Sequence, residues 1–174
     1  MRVVLISFKD VFVKEVDVSR PAAFEPHVIV TTHDAPVGRR DRSHRPADHE
    51  AFINVTTARW LQIGIVEDSR SLYSSPIVLA NKLSAPPPGK RLCNDFRSLN
   101  EITIPLEVNI PTIESVLNAL PNSRFFSKFD CTSGYFQMQL DESTRHKTAF
   151  TTRQGTLQYM KESTIRVEKP SRGD

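Results

Sequence analysis

The sequence predicts an α+β fold of short elements, and three observations carry that prediction. Two pairs of apolar runs are each joined by a turn signal, the pattern of antiparallel hairpins. Two other segments repeat apolar residues at helical spacing. Twelve prolines in 174 residues cut the chain into short pieces.

Taken in order, residues 1–44 read as an irregular leader. Runs 3–6, 11–13 and 27–30 are candidate strands, interrupted by Pro21, Pro26 and Pro36. The arginine-rich run 39–45 reads as a solvated loop. Asp48 is the expected N-cap of a helix with Phe52, Val55, Ala58 and Leu61 on its apolar face, and Gly64 is placed to stop it. The β-branched run from Ile53 to Thr57 works against that helix. Residues 75–82 and 90–97 alternate as two strands around a proline-rich tip at 85–89. Pro111 fits the first turn of a helix that carries Ile113, Val116, Leu117 and Leu120 on one face. Residues 124–130 read as a strand, 133–140 as a helical turn, and 148–152 with 156–160 as a hairpin about Gly155. The tail 161–174 is polar and aperiodic.

Composition narrows the function. The chain is 39% hydrophobic, enough to bury a core at this length. A net charge of +3 argues against a strongly basic nucleic-acid binder. Cys93 and Cys131 lack metal-ligand spacing and suggest reduced thiols. No stretch is long and apolar enough to span a membrane, and the apolar start is too short for a signal peptide. The expected location is therefore cytoplasmic or nuclear, not secreted. The Asn54-Val55-Thr56 glycosylation pattern and the Arg172-Gly173-Asp174 tripeptide are read as coincidental.

The most informative run is Arg124-Phe125-Phe126-Ser127-Lys128-Phe129-Asp130, followed by Gly134-Tyr135-Phe136-Gln137. An apolar strand ending in one carboxylate, then a turn with a small residue and an aromatic, suits metal-assisted phosphoryl transfer. A two-metal site needs several converging acids, and no second convincing one follows.

Further motifs fall in order around that run: Gly64-Ile65-Val66, Ser74-Ser75-Pro76, Arg91-Leu92-Cys93-Asn94-Asp95-Phe96-Arg97-Ser98-Leu99-Asn100 and Lys147-Thr148-Ala149-Phe150-Thr151-Thr152. Together they resemble the N-terminal part of the reverse transcriptase of gypsy-type LTR retrotransposons, over about residues 45–160. The leader resembles the segment that joins protease to polymerase in those polyproteins. The resemblance implies an incomplete right-hand polymerase fold: a fingers hairpin, part of an antiparallel palm sheet, and helices. It divides the chain into a leader (1–44), a partial reverse transcriptase domain (45–160) and an unmatched tail (161–174).

The site residues follow from the same resemblance. Asp130 matches the first catalytic aspartate and would coordinate Mg2+, with the backbone carbonyl of Cys131 as a neighbouring ligand. Arg91, and with less support Lys82, would contact the phosphates of the incoming nucleotide. Gly134 and Tyr135 match the floor of the nucleotide pocket, where an aromatic ring can exclude a ribose 2′-hydroxyl. Arg97 and Asn100 match positions beside the template strand, and Asp95 is expected to anchor its turn. The implied partners are an RNA or DNA template-primer and deoxynucleotides, with association to an intact polymerase or to a second copy through an open palm sheet.

The chain departs from the family after Met160, where Lys161-Glu162-Ser163-Thr164 replaces a Met-Pro-Phe-Gly-Leu segment. The Tyr-x-Asp-Asp turn with two further aspartates does not occur. The simplest account is a truncated or frame-shifted copy, inert as a polymerase on its own and without productively bound Mg2+. The alternatives are a non-specific nucleic-acid-binding remnant and a translated relic without function.

Overall fold

The computed structural model describes residues 23–38, 45–81, 89–105, 111–121, 124–131 and 133–162, with Ser7 apart from them. Two antiparallel sheets organise the core. The first is the hairpin of β2 (Ile77–Asn81) and β3 (Lys90–Asn94), in the register Ile77 to Asn94, Leu79 to Leu92 and Asn81 to Lys90. Cross-strand partners share a face. Ile77 and Leu92 therefore point into the core, and the Val78–Cys93 and Ala80–Arg91 pairs point away from it.

The second sheet has the order β1 (Val66–Asp68), β5 (Thr156–Tyr159), β4 (Phe150–Thr151). Leu157 and Tyr159 are buried while Thr156 and Gln158 are half-buried, the period of two that a pleated strand imposes. The 152–155 turn closes through Thr152 N–H to the Gly155 carbonyl at 2.8 Å. Both hairpins thus stand where the alternation placed them. The sheets meet where Ser75 N–H donates to the Ala149 carbonyl at 2.9 Å and Tyr159 Oη donates to Asn94 Oδ1 at 2.7 Å.

Helix α1 (Ala47–Gln62) lies against this core. Its end is the one expected. Gly64 has φ +70, Ile65 N–H reaches the Trp60 carbonyl at 2.9 Å, and Gly64 N–H reaches the Leu61 carbonyl at 3.3 Å. These are the paired bonds of a Schellman stop. Its start and its face are not. The N-cap is Pro46, two residues before Asp48, whose carboxylate instead accepts from Lys90 Nζ at 2.6 Å. The buried face is Glu50, Ile53 and Thr57; of the expected residues Phe52 packs half-buried on the core, whereas Val55, Ala58 and Leu61 are exposed. Burial of Thr57 is compatible with helix because its hydroxyl donates to the Ile53 carbonyl at 2.9 Å. Polarity therefore misdirected the face assignment: Glu50 and Thr57 are polar and inside.

Two short helices follow, α2 (Arg97–Ile102) and α3 (Ile113–Asn118). Thr112 caps α3, its hydroxyl accepting from Ser115 N–H at 3.2 Å, so Pro111 precedes the cap and is not in the first turn as expected. The apolar face of α3 is uncovered, with Ile113 82% and Leu117 59% exposed. Residues 124–131 form no strand and all are exposed. The sequence pattern is strand-like, but no strand among the described residues pairs with it, and an isolated strand has no ladder to hold it. A 3-10 turn (Gly134–Gln137), α4 (Glu142–Arg145) and a second 3-10 turn (His146–Thr148) lead into β4.

The segment 23–38 runs extended along the core without forming a named strand. Ile29 is 1% exposed within the main cluster. The candidate strands at 3–6 and 11–13, the tip at 85–88 and most of the tail lie outside the described residues.

Candidate active site

Asp130 ends the exposed segment 124–131, and Cys131 beside it carries an exposed thiol. The chain then turns sharply. Ser133 takes φ 50 and ψ 44, and its carbonyl accepts from Phe136 N–H at 2.9 Å. A left-handed conformation at a residue with a Cβ is uncommon and stores strain at this point. A Cβ on Gly134 would stand 3.3 Å from the Cys131 Cβ, a tight contact that the small residue avoids. Phe136 fixes the turn to the core by packing edge-on to Trp60 at 5.8 Å between ring centroids. Tyr135 points the other way and is half exposed. The sequence offered two adjacent aromatics. The one matched to the nucleotide pocket faces out, and its neighbour is the anchor.

Arg91 lies on β3 opposite Ala80, exposed on the outer face of the hairpin. Lys82 lies outside the described residues. At the base of the same hairpin, Asp95 N–H donates to the Pro76 carbonyl at 2.8 Å. The Asp95 carboxylate accepts from Arg97 N–H at 3.1 Å, from Arg97 Nε at 2.8 Å and from Arg97 Nη2 at 2.5 Å. Asp95 therefore anchors the turn, as expected. One edge of the Arg97 guanidinium is committed to it, and the carboxylate raises the Arg97 pKa further. Asn100 sits half-buried on α2, its N–H bonded to the Phe96 carbonyl at 2.7 Å.

The arginine run behaves differently from a solvated loop at its one described member. Arg45 donates to the Ile77 carbonyl at 3.0 Å and pairs with the buried Glu50 at 3.5 Å. Arg153 approaches the same carboxylate at 3.4 Å. Glu50 thus joins α1 to both hairpins, a role that no local pattern in the sequence signals. Lys147 is likewise buried and unforeseen, its ammonium bonded to backbone and hydroxyl oxygens of the leader.

Among the described residues, no three His, Cys, Asp or Glu side chains gather to hold a metal ion. Asp130 belongs to no such group, so the described residues do not fit a two-cation centre. Among those residues, too, no helix is long and apolar enough to cross a membrane.

Residues 85–172, just over half of the chain, match the family described as reverse transcriptase (RNA-dependent DNA polymerase). The chain is 34% identical over 137 residues to the Pol polyprotein of transposon 297 from Drosophila melanogaster, covering 78% of this chain and 13% of that one. It is 39% identical over 111 residues to the Pol polyprotein of transposon gypsy from the same organism, covering 62% and 11%. The chain thus spans only about an eighth of those relatives. The structure superposes on native prototype foamy virus protease-reverse transcriptase with a TM-score of 0.75 at 15% identity, covering 95% of this chain and 22% of the other. It superposes on the foamy viral protease-reverse transcriptase in complex with RNA/DNA hybrid with a TM-score of 0.70 at 18% identity, covering 93% and 21%. At those identities the likeness establishes a shared partial polymerase fold. With the ordered motifs and the matched relatives, it follows that the chain belongs to the reverse transcriptase (RNA-dependent DNA polymerase) family, among the gypsy-type retroelement Pol polyproteins.

Proposed function

We propose that these 174 residues act as the fingers and beginning of the palm of an RNA-directed DNA polymerase, and that alone they bind template-primer nucleic acid without extending it. The observation that carries this reading is the β2–β3 hairpin, which presents Arg91 on its solvent face, while Asp130 belongs to no group of three metal-ligating side chains among the described residues. Arg91, with Lys82 as the second candidate, supplies the phosphate contacts. Arg97 offers the template its remaining guanidinium edge, Asn100 lies next to it, and Gly134 with Tyr135 forms the pocket floor. Asp130 and the Cys131 carbonyl are the family's metal-side groups. One carboxylate cannot order two cations for in-line attack, so no catalytic step is assigned to this chain. The leader 1–44 serves as the joining segment ahead of the polymerase unit at 45–160.

The uncovered apolar side of α3 and the Phe125, Phe126 and Phe129 rings supports association through the palm side, with an intact polymerase or a second copy. The solved relative whose structure holds an RNA/DNA hybrid supports nucleic acid as the partner. The test is binding of a labelled RNA/DNA primer-template at two salt concentrations. Affinity is expected to fall steeply with salt, and Arg91→Ala to reduce the slope of log affinity against log salt by about 1. Salt-independent binding, or none at low salt by a folded sample, would overturn the reading and favour a relic without function.

A further inference from the structure

Residues 27–32 connect two parts of the fold that no strand ladder joins among the described residues. At one end His27 N–H donates to the Gln139 carbonyl at 2.8 Å, and Asp141 N–H donates back to the His27 carbonyl at 2.9 Å. At the other, Thr32 N–H donates to the Ile102 carbonyl and Ile104 N–H donates to the Val30 carbonyl, both at 2.8 Å. The segment is therefore paired on both of its edges, as an added strand would be.

Its middle is held from within the core. Ile29 is 1% exposed, and its N–H donates to Thr144 Oγ1 at 3.3 Å. The Ile29 carbonyl accepts from Lys147 Nζ at 3.1 Å, and the Thr31 hydroxyl accepts from the same ammonium at 2.9 Å. Asp34, on the same segment, brings its carboxylate to 3.8 Å from that ammonium. Lys147 is 7% exposed. A buried ammonium requires acceptors, and these acceptors are supplied by the leader. Upstream of the strap's partners, Val37 packs on the core, and a Cβ on Gly38 would stand 2.2 Å from the Ser74 carbonyl oxygen. Gly38 thus permits a close backbone approach that guides the segment into place.

We infer that residues 27–32 are a strap held by non-covalent contacts, a peptide ligand carried on its own chain, and that Lys147 is its lock. The groove runs between the end of α2 and the 139–148 region. It accepts an extended segment with one buried aliphatic side chain and, two residues on, a hydroxyl facing the ammonium. The same segment offered in trans is then a competent occupant. This inference is independent of whether the chain binds nucleic acid.

The test uses the full chain with a protease recognition sequence replacing residues 39–44, cut after folding. The N-terminal piece is expected to remain with the rest through gel filtration. A labelled peptide of residues 23–38 is expected to exchange into the cut chain and not to bind the uncut one. Peptides carrying Ile29→Ala or Thr31→Val should compete at least several-fold less well, and Lys147→Met in the cut chain should release the strap faster than wild type. Should Lys147→Met fail to fold, the peptide series on the wild-type chain decides the matter. Separation of the pieces on cutting, loss of the fold on cutting, or equal competition by all three peptides would overturn the inference.

Discussion

Phe150 carries more of the core than any motif would suggest. It is fully buried, pairs with Leu157 across the sheet and packs on Tyr159 with ring centroids 5.3 Å apart. Phe150→Ala should cost about 3–5 kcal/mol, read from the urea midpoint. Gly64→Ala isolates a backbone effect. A Cβ there meets nothing within 4 Å, so the cost of about 1–2 kcal/mol comes from φ +70 alone, and Gly64→Asn should cost less. Two carboxylates contribute to the acid dependence of stability. Lys90 holds Asp48 below the ordinary value of 3.8 by donating to it, and the Ser143 hydroxyl and N–H do the same for Asp141. The folded pKa values are depressed, so the unfolded chain binds protons first as pH falls. Their stabilisation is complete above the unfolded value and is lost as pH drops through the folded ones, from roughly pH 5 downward. A double variant, Asp48→Asn with Asp141→Asn, should show a shallower fall of the denaturation midpoint over that range. At this scale, glycine and capping chemistry were legible where they act within one turn, as at Gly64. Asp48 was misread because its partner Lys90 lies 42 residues on.

Among the elements, the hairpins were legible and the helix faces were not. Alternation is a local property of a strand, and the register of β2 with β3 follows from it. The buried side of α1 depends on Arg45 and Arg153 converging on Glu50, which is decided by the tertiary fold. Segment 124–131 shows the converse case. Its residues suit a strand, yet a strand exists only with a neighbour to pair with, and no described one pairs with it. The consequence is testable. Ile113→Glu and Phe125→Glu replace residues that are 82% and 84% exposed. Each should shift stability by no more than about 0.5 kcal/mol while reducing self-association in sedimentation. A drop of several kcal/mol would mean that these side chains are covered in solution.

For the molecule as a whole, the family was legible because six short motifs keep their order and spacing between Gly64 and Thr152, and order survives where any one motif is weak. The assembly of the site was less so. Arg91 lies on β3, Arg97 on α2 and Asp130 in an exposed segment outside both, a placement that the tertiary fold decides. The decisive measurement is extension of a labelled DNA primer on an RNA template by the folded 174-residue chain, with Mg2+ and all four deoxynucleotides, beside Asp130→Asn. The expected result is that the primer-template is bound at low salt and that no extended product appears with either protein. Extension by the wild-type chain that Asp130→Asn abolishes would contradict it.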